Sequence, residues 1–345
     1  MYIGNFNLNN NRVFIIAELS ANHNGDIQTA IATIKAAKRA GADCIKLQTY
    51  TPDTLTIESN RSDFIIKSDS IWDGKSYYDL YKEAYTPWEW HRKLFQVAKE
   101  EGLVCFSSPF DKTAVDFLET LDVPAYKIAS FEITDIPLIE YVASKGKPII
   151  ISTGIATIKD IELAIEACKR KGNHNIALLK CTSSYPAPVD EANISMIKDL
   201  AERFNVLSGL SDHTMGSVVP IVATALGAKI IEKHFILDRS IGGPDASFSM
   251  NEEEFTQMVK SIRSAEKAIG HINYDLTEKQ RKGKVFSRSL YIVEDVKAGD
   301  EITEKNVRSI RPGFGLHPRF LESIKGKFFL KDYEKGTRMS MKYVK

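Results

Sequence analysis

The sequence has little cysteine, no long apolar run and almost no net charge. Its four cysteines, Cys44, Cys105, Cys168 and Cys181, are widely spaced and form no CxxC pair. That excludes a disulfide framework and a zinc–thiolate site, and points to reduced thiols in a cytoplasmic enzyme. Cys44, Cys105 and Cys181 fall within or beside apolar strand runs and read as core thiols without chemistry. A membrane span needs roughly 18 nearly uninterrupted apolar residues. The best run, Val218 to Ile231, is shorter and takes in Lys229. Residues 1–11 lack a basic patch followed by an apolar stretch, so no secretory signal is expected. With 46 Lys+Arg against 45 Asp+Glu, nothing in the overall charge calls for nucleic acid.

That balance is local only in part. From Arg281 onward there are 16 Lys/Arg and 8 Asp/Glu, a net of +8, which leaves −7 on the first 280 residues. The asymmetry fits either two domains of different surface composition or a basic domain that faces something negative.

Short apolar, β-branched runs start near Val13, Asp43, Val104, Ala125, Pro148, Ile176, Val206 and Ala228. They are continuous, as expected for strands buried on both faces. Helical patterns lie between them, for example Ile27 to Arg39 and Ile158 to Arg170. Eight strand–helix units in this space match the α/β class and the (β/α)₈ TIM barrel in size and rhythm. The rival doubly wound sheet lacks its glycine-rich phosphate fingerprint after the first strand. One insertion, residues 51–86, is rich in aromatics (Trp72, Tyr77, Tyr78, Tyr81, Tyr85) and reads as a lid or subunit contact. The barrel is expected over residues 1–270 and a polar linker over 271–285. A small β-rich domain, with turns at AGDE and EKGT, follows over 286–345.

In a barrel, chemistry sits at the carboxyl ends of the strands. Here those ends carry Glu18; Lys46 and Gln48; Ser107 and Ser108; Lys127, Ser130 and Glu132; Ser152 and Thr153; Lys180, Thr182, Ser183 and Tyr185; Ser211, Asp212 and His213; Glu232 and His234. Several of these hydroxyls also suit helix N-caps. His213 and His234 end neighbouring strands and are candidate ligands of one divalent cation. Two imidazoles with open positions suit Mn²⁺, Co²⁺ or Mg²⁺ better than a closed tetrahedral zinc. Lys127 with Ser108, Ser130, Ser152, Ser183 and Ser211 reads as an anion site. Lys46, Lys127 and Lys180 equally admit a Schiff-base aldolase.

The motifs AELSANHNG, GADCIKLQTY, FSSPFD, PAYKIASFE, IISTG, KCTSSYPAP, GLSDHT, EKHF and GGPDASFSM, followed by SRSLY and RPGFG, occur in that order. Together they resemble the sialic acid synthase family, which condenses phosphoenolpyruvate with an amino sugar to a nonulosonic acid. They imply a TIM barrel with a C-terminal antifreeze-like (SAF) domain. KLQTYTPDT, WDGKSYYDLYKEAYTPWEWH and FEITDIPLI look most like the pseudaminic branch, whose substrate is a 2,4-diacetamido-2,4,6-trideoxyhexose.

The resemblance implies that His213 and His234 hold the metal. It implies that Lys127, Ser108, Ser130, Ser152 and Ser211 hold phosphoenolpyruvate, with Ser183 standing where the sialic acid branch has an asparagine. Gln48, Tyr185 and Asp245 match sugar contacts, and Glu18 and Glu132 match acidic residues that handle water and protons. Arg311 matches an arginine extended into the partner subunit's barrel in a domain-swapped homodimer, which the −7 body and +8 tail suit.

Overall fold

The computed structural model describes residues 1–67 and 71–345. The chain divides into two compact units, Met1–Gly270 and His271–Lys345. The first is a closed barrel of eight parallel strands. These are β1 (Phe14–Glu18), β2 (Cys44–Thr49), β3 (Val104–Pro109), β4 (Tyr126–Ile128), β5 (Ile149–Ser152), β6 (Ile176–Cys181), β7 (Leu207–Asp212) and β8 (Ile230–His234). The helices between them are α1 (Ile27–Arg39), α2 (Trp88–Glu100), α3 (Lys112–Glu119), α4 (Ile136–Ala143), α5 (Ile158–Arg170), α6 (Met196–Phe204), α7 (Val218–Ala225) and α8 (Glu252–Ile269). β8 closes the ring on β1 with His234 opposite Glu18.

The continuous apolar strands hide an alternation, because successive side chains point to opposite faces. Phe14, Ile16, Cys44, Phe106, Ile150, Ala177, Leu179 and Ile230 fill the barrel interior. Ile3 and Leu8, from the N-terminal hairpin segment, join the same cluster. Their neighbours Ile15, Ala17, Ile45, Leu47 and Ile231 pack outward, with Ala30, Ile34 and Ala37 of α1 in the same cluster. Stepping two residues along each strand from an interior apolar residue reaches the polar ring at the carboxyl end. Ile16 leads to Glu18, Cys44 to Lys46 and Gln48, Phe106 to Ser108, Ile150 to Ser152, and Ile230 to Glu232 and His234.

The insertion at 51–86 contains short helices Pro52–Leu55 and Tyr77–Ala84, and its residues 68–70 lie outside the described residues. The second unit has an antiparallel strand pair, Ser289–Ile292 with Val307–Ile310. Its own core is formed by Leu290, Ile292, Val296, Ile302, Val307, Ile324, Phe329 and Met339. The stretch expected as linker carries a short helix, Glu278–Gly283, capped by Thr277 and Gln280.

Candidate active site

Parity along the strands decides which polar residues meet. At the carboxyl end of the barrel, Glu18, Lys46, Ser108, Lys127, Ser152, Ser211 and Glu232 form one buried cluster of charges and hydroxyls. Lys46 Nζ lies 2.5 Å from Glu18 Oε2 and 3.5 Å from Glu232 Oε1, and donates to Ser108 Oγ at 3.3 Å. Lys127 Nζ donates to Ser152 Oγ at 2.7 Å and to the Ile128 carbonyl at 2.9 Å, with Glu232 Oε1 4.0 Å away. Ser211 Oγ donates to the same Glu232 oxygen at 3.1 Å.

The cluster separates its two carboxylates by environment. Burial pushes Glu18 up to about 7, and Lys46 offsets only part of that. Burial acts on Glu232 as well, but Lys46 and Lys127 together outweigh it and hold its carboxyl below the ordinary range. Burial lowers the Lys127 ammonium. Glu132, in the turn after β4, is pushed by burial up to about 7 against Lys127. Two carboxyl groups that half-ionise near neutrality beside an anion-sized nest of hydroxyls are what general acid–base chemistry requires.

Ser130 and Ser183 come together around Gly154 of the IISTG motif. The Gly154 amide donates to Ser130 Oγ at 2.9 Å. A Cβ at residue 154 would lie 2.1 Å from Ser183 Oγ and 2.6 Å from Ser130 Oγ, so only glycine leaves both hydroxyls in place.

The imidazoles of His213 and His234 face one another, ring centroids 5.2 Å apart. His213 Nδ1 lies 2.9 Å from the Thr182 carbonyl and carries the proton of that hydrogen bond, and against burial the neighbouring Cys181 and the Thr182 carbonyl raise the imidazole above its ordinary value. Burial, followed by His213, drives His234 well below the ordinary histidine value, so it is neutral. His234 Nδ1 is buried without a hydrogen-bond partner, 3.7 Å from Asp245 Oδ2. The two imidazoles are placed to share a divalent cation whose other positions go to water or substrate oxygen, which requires His213 to give up its proton on binding. Among the described residues no group of three or more His, Cys, Asp or Glu side chains is placed to hold a metal ion, so a cation here would rest on the two imidazoles. Glu18 Oε1, Glu132 Oε2 and Glu232 Oε2 are likewise buried without a hydrogen-bond partner. Orphan polar atoms of this kind gather where a ligand completes the bonding.

One side of the mouth is aromatic. Tyr185 packs at a tilt against His213 and Phe248, with centroids at 4.5 and 5.1 Å. Trp72 of the insertion lies 5.5 Å from Tyr185, and its Nε1 donates to the Pro244 carbonyl at 3.2 Å. Beside them Gln48 Nε2 donates to Ser20 Oγ at 3.0 Å, and Ser20 Oγ donates to Asp245 Oδ2 at 2.5 Å.

The barrel thus brings together thirteen of the expected residues: Glu18, Gln48, Ser108, Lys127, Ser130, Glu132, Ser152, Ser183, Tyr185, Ser211, His213, His234 and Asp245. Arg311 lies in the other unit, exposed, just after Val307–Ile310. Two expectations change. Lys180 points away from the interior, since Ala177 and Leu179 point inward on the same strand. Its Nζ donates to the Cys181 carbonyl at 2.7 Å and to Thr182 Oγ1 at 3.1 Å, so it leaves the set of site lysines. Cys181, expected as an inert core thiol, shares the inward parity. Its Sγ lies 3.8 Å from Ser183 Oγ and 3.9 Å from His213 Nδ1. Against burial, His213, Ser130 and Lys127 pull that thiol down to about 7. Phe248, Ser20 and Gly154 also line the site, and no feature of the strand-end pattern marks them. Lys46 and Glu232, which the sequence places at strand ends without a role in holding the anion, belong to the buried cluster.

Comparison with known proteins agrees with this arrangement. The NeuB family matches residues 33–274 and a SAF domain matches residues 287–337. A pseudaminic acid synthase of Campylobacter jejuni subsp. jejuni serotype O:2 is 51% identical over 98% of both chains. That of Helicobacter pylori is 47% identical over 94% of this chain and 96% of its own. An N,N'-diacetyllegionaminic acid synthase of Legionella pneumophila is 35% identical over 96% of this chain and 94% of its own. Among solved structures, an N-acetylneuraminic acid synthetase from Leptospira borgpetersenii, in complex with citrate, superposes with a TM-score of 0.73 at 31% identity. The superposition covers 82% of this chain and 94% of that one. Sequence likeness over nearly the whole length and likeness of the barrel lead to the same conclusion: the chain belongs to the NeuB family.

Proposed function

We propose that the protein is a transferase that condenses phosphoenolpyruvate, water and the open-chain aldehyde of 2,4-diacetamido-2,4,6-trideoxy-β-L-altropyranose, giving pseudaminic acid and phosphate. The observation that carries the reading is the 51% identity, over 98% of the chain, to pseudaminic acid synthases, against 35% to a diacetyllegionaminic acid synthase.

The site's own chemistry supports it. Lys127 and Lys46, with Ser108, Ser130, Ser152, Ser183 and Ser211, supply positive charge and hydroxyl donors for the phosphate and carboxylate of phosphoenolpyruvate. Lys127 is already bonded to Ser152 and the Ile128 carbonyl, which suits a fixed anion anchor better than a Schiff-base nucleophile. Carbon three of phosphoenolpyruvate attacks the aldehyde carbon, and a water oxygen adds at carbon two. The bond from carbon two to the bridging oxygen then breaks, leaving the 2-keto acid and inorganic phosphate. Glu18 and Glu132, half-ionised near neutrality, take the water proton and return one to the sugar oxygen. A divalent cation (Mn²⁺, Co²⁺ or Mg²⁺) held by His213 and His234 would polarise the aldehyde oxygen as a Lewis acid. Gln48, Tyr185 and Asp245 hold the sugar, and the Trp72–Tyr185 wall offers apolar surface to its methyl and acetamido groups. Arg311 of the partner subunit would complete the site in a domain-swapped homodimer, favoured by opposite charge on the two parts of the chain. The use of phosphoenolpyruvate argues for the cytoplasm, and among the described residues no helix is long and apolar enough to cross a membrane.

The test is kcat/KM with Mn²⁺ for the 2,4-diacetamido-L-altro sugar, its legionaminic counterpart and N-acetylmannosamine. A preference for the first supports the reading, and a preference for either of the others overturns it.

A further inference from the structure

Ser20 has an unusual backbone. Its φ is +48°, in the left-handed region that residues with a Cβ rarely adopt, although it is buried and is not glycine. Non-glycine residues held there carry strain that the surrounding structure must offset, and such strain gathers at functional sites. What Ser20 gains is a hydrogen-bond chain. Its hydroxyl donates to Asp245 Oδ2 at 2.5 Å and accepts from Gln48 Nε2 at 3.0 Å. It stands just past the end of β1, Gln48 lies on the neighbouring β2, and Asp245 lies in the loop after β8. The chain therefore ties together three separate segments at the sugar side of the mouth.

The chemistry of the chain has a direction. A hydroxyl has one proton, and here the carboxylate takes it. Ser20 Oγ can then only accept from Gln48, so the NH₂ of Gln48 is turned to Ser20 and its carbonyl oxygen is the atom outside the chain. A free glutamine amide can present either end to a ligand. This one presents an acceptor, suited to the N–H of an acetamido group or to a sugar hydroxyl.

We infer that Ser20 is a positioning residue for sugar selection: its hydroxyl fixes the Asp245 carboxylate and the Gln48 amide in the orientation that recognises the donor groups of the amino sugar. The inference rests on the proposed sugar site. Its test is run on whichever amino sugar the wild type turns over, so failure of the substrate assignment and failure of the Ser20 role give different results.

The discriminating variant is Ser20→Gly, because glycine adopts positive φ at no cost while deleting the hydroxyl. A residue present for structure alone would lower the melting temperature when lost. The expectation here is the opposite. S20G keeps or raises the wild-type melting temperature, and its KM for the amino sugar rises about tenfold, the loss of one charge-assisted hydrogen bond. KM for phosphoenolpyruvate stays within about twofold under the same principle, since none of its bonds is touched. Discrimination between the preferred sugar and N-acetylmannosamine narrows. Ser20→Ala, which deletes the hydroxyl but keeps the strained backbone, shows the same kinetic change with a lower melting temperature. An unchanged sugar KM in a folded variant, equal losses on both substrates, or failure of both variants to fold would each overturn the inference.

Discussion

Glu132→Gln is expected to make the protein more stable at alkaline pH while slowing turnover. Glu132 Oε2 is buried without a hydrogen-bond partner, and burial raises the carboxyl from its ordinary 4.5 to about 7. The folded chain therefore binds a proton that the unfolded chain has released between pH 4.5 and 7. Stability from this group is fully present below pH 4.5 and is lost as pH rises through 7. At about 1.4 kcal/mol per pH unit, the loss over that window is about 3 kcal/mol. Glutamine has the same shape and does not titrate. The difference between variant and wild type should be about 1 kcal/mol at pH 5 and grow toward about 3 kcal/mol by pH 8. With an unfolding entropy of about 2.1 cal/mol/K per residue, that is about 5 °C for a barrel unit of this size. Glu18 titrates in the same range but is present in both proteins, so it cancels in the comparison. Calorimetric melting of both proteins at pH 5, 6, 7 and 8, in EDTA so that no cation contributes, reads the difference directly. Parallel curves, or a variant less stable at pH 8, would refute the claim that Glu132 is held against its own ionisation.

Lys233 and Asp212 form a buried ion pair at 2.5 Å, outward of the two imidazoles, with Lys233 also donating to the Thr214 carbonyl. Lys233→Met should cost about 3–5 kcal/mol by leaving Asp212 buried and unpaired, measured as a lowered denaturant midpoint with an unchanged slope. Gly154→Ala should leave the fold intact, because serine hydroxyls can turn aside, but raise KM for phosphoenolpyruvate with little change for the sugar. Equal effects on the two substrates would separate Gly154 from the anion site. Removal of divalent cations with EDTA should abolish turnover and Mn²⁺ should restore it. His234→Ala should lose Mn²⁺ binding in a titration while keeping its secondary structure by circular dichroism.

The barrel was legible because strands covered on both faces read as apolar runs, and eight of them at this spacing leave few alternatives. The site was legible as a ring of strand ends, since Glu18, Gln48, Ser108, Ser152, Ser211 and His234 each break an apolar run. What stayed hidden was parity. Counting back in twos from Lys180 reaches Leu178, which packs outward in the described fold, whereas counting back from Cys181 reaches Leu179 and Ala177, which pack inward. The apolar runs alone do not say which set faces the interior, so sequence reasoning places Lys180 among the site lysines and Cys181 in the core. The charge order of the buried cluster was hidden for a different reason. Glu232 is held ionised because Lys46 and Lys127 approach it from two other strands, a fact of barrel closure and not of sequence spacing. The partners of the Ser20 hydroxyl are likewise 28 and 225 positions away in the chain.

The most direct test of carbon–carbon bond formation at this site is the fate of the bridging oxygen of phosphoenolpyruvate. With that atom labelled as ¹⁸O and the amino sugar as co-substrate, mass spectrometry should find the label in the released phosphate and none in the nine-carbon acid. Label retained in the acid would contradict C–O cleavage, and with it the roles given to Glu18 and Glu132.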